Sequence, residues 1–138
     1  MSKYWFTSSQ LTFVDGEDEE TNHGRYGKAV ANWLAKELGS NGYSATVSPE
    51  DWGWRVDCVT DPCPIWIGCG NVDEIDAEGN LAAPNVQTVA WHLFIQADVP
   101  FLKKLFGKLD PAPEVEKLAG AVKRLLSATD HITEVEEP

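Results

Sequence analysis

Basic residues are nearly missing from the middle of this 138-residue chain. Between Glu37 and Leu102 there are ten Asp or Glu residues and one cation, Arg55. The other ten Lys and Arg residues lie in the first 36 positions or after 102, and the formal net charge is −11. A segment of that kind repels phosphate backbones, which argues against direct DNA or RNA binding. The chain also lacks any run approaching the ~18–20 apolar residues of a membrane span. Its start, "MSKYWFTSSQ", has no charged head, apolar stretch or cleavage site of a secretory signal, so a cytoplasmic protein with no membrane partner is expected. Paired cysteines are absent as well. Cys58, Cys63 and Cys69 follow C-x4-C-x5-C, which is neither a zinc-ribbon spacing nor an even-numbered disulfide set. Buried thiols are the expectation, and Cys63, in the "DPCP" turn, is the one expected to meet solvent.

What is present reads as a single α+β domain over residues 1–138. "KYWFTSSQLTF" (3–13) is an opening strand by its aromatic and β-favouring content. "DGEDEETNHG" (15–24) carries five acidic residues in positions 15–20 and reads as a solvated loop. Tyr26, Val30, Trp33, Leu34 and Leu38 then form one apolar stripe at helical spacing. Thr21 or Asn22 is positioned to cap that helix, and Gly39 to stop it.

Four strand candidates follow: "YSATVS" (43–48), "WRVDCVT" (54–60), "IWIGCG" (65–70) and "NVQTVAWHLFIQA" (85–97). Pairing Thr60 with Ile65 would set Val56 opposite Cys69 and Cys58 opposite Ile67. One face then holds Trp54, Val56, Cys58, Ile65, Ile67 and Cys69, and the other Arg55, Asp57, Val59, Trp66 and Gly68. In the last candidate Val89, Trp91, Leu93 and Ile95 point one way, His92 and Phe94 the other. A short helix is expected over 98–109 and a second over 113–128. "TDHITEVEEP" reads as an edge strand or a frayed end, with residues 136–138 expected as a disordered acidic tail. The order gives a two-layer sandwich, a mostly antiparallel sheet of about five strands with helices packed on one face.

Chemical motifs are thin. Neither "DGEDEETNHG" nor "NVDEIDAEGN" (71–80) matches an EF-hand, the three histidines lack metal-ligand spacing, and "GCGN" is not a phosphate loop. No metal or cofactor is expected, and no catalytic residue is identified; Cys63 with His92 is the one nucleophile–base pairing to examine. Six tryptophans stand out instead. Trp33, Trp54 and Trp91 fall on core faces, Trp66 on the opposite sheet face and Trp52 in the loop before a strand.

Together "GEDEETN", "RYGKAVANWLAKEL", "PEDWGWRVDC" and "IWIGCGN" resemble a group of small acidic bacterial proteins of unknown function, over roughly residues 10–72. The resemblance implies a bacterial cytosolic origin and no mechanism.

The expected function is a non-enzymatic acidic module that binds a basic protein, of inhibitor or immunity type. Its candidate face comprises Glu50, Asp51, Trp52 and Trp66 with the acidic run Glu17, Asp18, Glu19 and Glu20. The competing expectation is a small-molecule-binding or small enzymatic domain, its pocket between sheet and helices lined by Trp52, Trp54, Glu50 and Asp51. Val59 and Trp66 on the second sheet face also leave a homodimer open.

Overall fold

The computed structural model describes residues 2–82, 89–101, 105, 107 and 109–138. Six strands and three helices are formed among them: β1 (Lys3–Ser8), α1 (Glu17–Glu20), α2 (Lys28–Ser40), β2 (Thr46–Glu50), β3 (Gly53–Val59), β4 (Ile65–Asn71), β5 (Trp91–Ala97), α3 (Ala112–Ala128) and β6 (Ile132–Val135). The strands make one sheet in the order β2-β3-β4-β5-β1-β6, antiparallel at every step. Of the helix expected over 98–109, residues 102–104, 106 and 108 lie outside the described residues and Asp98–Pro100 are not helical. Of the strand expected from 85, residues 85–88 lie outside them and the strand begins at Trp91.

Alternation decides which face of the sheet is covered. Phe6, Trp54, Val56, Ile65, Ile67, Cys69, Trp91, Leu93 and Ile95 are all buried. Over them α2 places Val30, Leu34 and Leu38, four residues apart and therefore on one stripe. Its companion α3 places Leu118, Val122 and Leu126 at the same interval. The first helix packs on β2, β3 and β4, the second on β5 and β6, so each covers half of one face. Each fully buried aliphatic side chain contributes about 1.5–3 kcal/mol. The Tyr4 hydroxyl anchors β1 to α3 by donating to the Ala119 carbonyl at 3.2 Å.

Three local expectations are corrected. First, Val56 stands opposite Ile67 and Trp54 opposite Cys69, two residues from the expected register, with a bulge between Asp57 and Val59. An even shift preserves the facial sets, which is why the core assignment survives the error. Second, Cys63 is 2% exposed, and all three thiols are buried with no disulfide. Burial, with Asp57 nearby, pushes the Cys58 thiol up to about 12; burial also raises Cys69. Third, α2 runs through Gly39 to Ser40. The chain reverses at Gly42, whose φ of 92° is the left-handed conformation, and the Tyr43 N–H closes on the Leu38 carbonyl at 3.0 Å.

The C-terminal "ITEV" is an edge strand, paired with β1 and tied to α3 by Lys123–Glu134 at 2.7 Å. The described residues include no helix long and apolar enough to cross a membrane.

Candidate functional site

The sheet face opposite the helices carries an aromatic cluster. By register, Arg55, Gly68 and Phe94 form one row across β3, β4 and β5, with Asp57, Trp66 and Gln96 beside it. A third row runs from Gly70 to His92 and Trp5. Gly68 creates the opening: a Cβ there would lie 2.1 Å from the Phe94 ring, so the missing side chain lets Phe94 lie across β4. Phe94 meets Trp66 at 5.7 Å between ring centroids, His92 at 5.5 Å and Trp52 at 5.3 Å. His92 in turn stacks on Trp5 at 4.8 Å.

Trp52 arrives from the two-residue turn between β2 and β3. Glu50 pairs with Gly53 at the base of that turn. Gly53 has φ 152°, and a Cβ on it would sit 2.4 Å from the Cys69 carbonyl oxygen, so only glycine closes the hairpin this tightly against β4. The turn sends the two neighbouring indoles to different faces. Trp54 goes into the core, while Trp52 stacks on Trp66 at 5.6 Å and remains 38% exposed. Trp52, Trp66, Gly70, Asn71, His92 and Phe94 line an open cavity of about 290 Å³.

Its polar surroundings are mixed. The Arg55 guanidinium lies 4.4 Å over Trp66, with Nε donating to Asp57 Oδ1 at 2.9 Å and Nη2 3.7 Å from Asp98. The Trp66 indole donates to Asp98 Oδ2 at 3.0 Å. Glu50 and Asp51 precede Trp52 and take part in no side-chain hydrogen bond or ion pair among the described residues. Burial and then Lys3 hold the His92 imidazole below its ordinary value, and its Nε2 is buried with no hydrogen-bond partner.

The acidic run belongs to the other layer, and its first member is not solvated. Glu17 is 1% exposed. Its Oε1 accepts from Gly27 N–H at 2.7 Å, Lys28 N–H at 3.0 Å and the Trp54 indole at 3.2 Å, while Oε2 accepts from Val14 N–H at 2.5 Å. The cap of α2 is therefore a carboxylate ten residues upstream, not Thr21 or Asn22. Four donors offset the desolvation of this charge, and the positive end of the α2 dipole adds to them. Asp18 receives hydrogen bonds from Gly24 N–H and the Tyr26 hydroxyl, and Glu20 pairs with Lys28 at 2.8 Å. Lys28 also lies 5.1 Å over the Trp54 ring. Glu19 is exposed.

So Trp52 stacks on Trp66, Glu50 and Asp51 directly precede Trp52 in the chain, and Glu17 lies apart, buried against the Trp54 indole in the helix layer. The pocket expected between sheet and helices from Trp52, Trp54, Glu50 and Asp51 is not formed, because Trp54 is buried against Glu17 and Trp52 is on the far face. Cys63 and His92 do not meet: Cys63 precedes the start of β4 and His92 pairs with Gly70 near its end. Phe94, His92, Arg55 and Trp5 were absent from the expected site. Strand alternation did place the first three on the second face; the small residue opposite Phe94 was the overlooked signal.

Comparison with protein-family models, curated proteins and solved structures returns no match in any of the three.

Proposed function

We propose that this protein is an acidic protein-binding module, of the inhibitor or immunity kind and cytoplasmic, whose basic partner docks on the open sheet face. The observation that carries the reading is the aromatic cluster of Trp52, Trp66, Phe94 and His92 on the face the helices leave uncovered. A large aromatic that remains partly wet is a common anchor for a partner, since it buries much area at little entropic cost. Charge supplies the sign of that partner. Glu50, Asp51, Asp57 and Asp98 edge the face, against Arg55 and Lys3, on a chain of net charge −11. Such a field accelerates encounter with a cationic surface and opposes nucleic acid. Three buried thiols without a disulfide suit a reducing compartment.

The test is a binding titration of the protein against a panel of basic proteins at low salt, repeated with rising salt. Salt-sensitive binding that Trp66→Ala weakens is expected. Absence of binding across the panel, or binding indifferent to salt, overturns the proposal.

A further inference from the structure

We infer that the cavity beside Trp52 is the seat of an arginine side chain presented by the partner. This rests on the open face being the docking surface, and it adds which group enters and where. Size is the first argument. At about 290 Å³ the space falls just under the roughly 300–1,000 Å³ typical of pockets that enclose whole small molecules. It suits one long side chain.

The walls are the second argument. Trp52, Trp66 and Phe94 offer ring surfaces, and a cation over such a ring is attracted by its quadrupole. A planar guanidinium stacks on an indole where an ammonium acts as a point charge. The molecule already contains the arrangement once: Arg55 lies over Trp66 and is held by Asp57 and Asp98. Trp52 repeats half of it. Its ring is partly exposed, two carboxylates without partners precede it, and no cation of the described residues lies over it. An incoming guanidinium would supply the missing member. Burial first and then Lys3 hold the His92 imidazole below its ordinary value, which disfavours a competing positive charge beside the cavity.

The six indole N–H groups allow the test to locate the contact. The ¹⁵N-labelled protein is titrated at low salt with acetylated hexa-arginine amide and, separately, hexa-lysine amide. The Trp52 and Trp66 indole signals are expected to move while those of Trp33, Trp54 and Trp91 stay. Hexa-arginine should saturate at about fivefold lower concentration, the size of a modest cation–π preference. Trp52→Ala should abolish that preference and Trp52→Phe should keep most of it, the remaining indole signals showing that each variant is folded. If both peptides move Trp52 and Trp66 equally and Trp52→Ala changes nothing, the arginine seat is overturned and the open-face reading stands. If shifts appear instead at the amides of Asp18, Glu19 and Glu20, both are overturned, as they are if neither peptide shifts any signal.

Discussion

The two faces of the sheet use the same residue types for different ends. On the covered face an indole and a carboxylate, Trp54 and Glu17, meet at 3.2 Å inside the fold. On the open face another indole and two carboxylates, Trp52 with Glu50 and Asp51, stand without hydrogen-bond partners for the acids. The covered pair is saturated: Glu17 accepts four N–H groups and fixes the start of α2. Nothing remains for a ligand to satisfy there. The open set is unsaturated and accessible. The acidic residues of this chain thus serve two roles, and only the donor count in three dimensions tells them apart.

The largest effect should come from breaking the covered face. Glu17→Ala leaves four donors without their acceptor and is expected to cost about 3 kcal/mol in urea unfolding. A loss under about 1 kcal/mol would show that Glu17 is dispensable to the fold. Next comes the opening on the far side. Gly68→Ala puts a methyl into the space of the Phe94 ring, which must swing away and carry its contacts with Trp52 and Trp66; a cost of about 1–2 kcal/mol and an altered tryptophan emission are expected. An unchanged emission spectrum would mean the cluster does not depend on that gap.

A smaller effect follows from pH. Because the folded His92 imidazole is held below its ordinary value of 6.5, by burial first and then Lys3 against an opposing Glu137, the unfolded chain protonates first as pH falls. This contribution to stability is complete above about 6.5 and is lost as pH drops from there toward the folded value. Urea midpoints between pH 7.5 and 5 should fall more for the wild type than for His92→Gln. Identical slopes would remove His92 from the account. Smallest of all should be the effect of Trp52→Ala on stability, within about 1 kcal/mol for a side chain outside the core. A much larger loss would make Trp52 a fold residue like Trp54.

The layer architecture was legible because it rests on periodicity, and periodicity tolerates error. Val30, Leu34 and Leu38 mark a helix face wherever its ends fall, and the β3–β4 facial sets held although the register was two residues off. What sequence did not disclose depends on contacts distant along the chain. Nothing in "GEDEE" distinguishes Glu17 from its neighbours; it is buried because Gly27, Lys28 and Trp54 converge on it from α2 and β3. Cys63 was expected at the surface because its prolines marked a turn, and a turn can still direct a side chain inward. The site was half visible. "EDWGW" pointed to a junction, and Gly53 explained how its two indoles part, but Phe94 gained its place only through an absent side chain on the neighbouring strand.

The central claim is that the protein's acids are divided between a face that builds and a face that binds. Two variants that each lose two negative charges test it most directly: Glu50→Gln with Asp51→Gln, and Glu19→Gln with Glu20→Gln. The two variants share the same change in net charge and differ in location, the second also freeing Lys28 from Glu20; their dissociation constants for hexa-arginine amide are compared at one low ionic strength. Weaker binding by the first pair, with the second close to wild type, is the predicted result. Equal weakening of both would reduce the acids to a diffuse field and contradict the account.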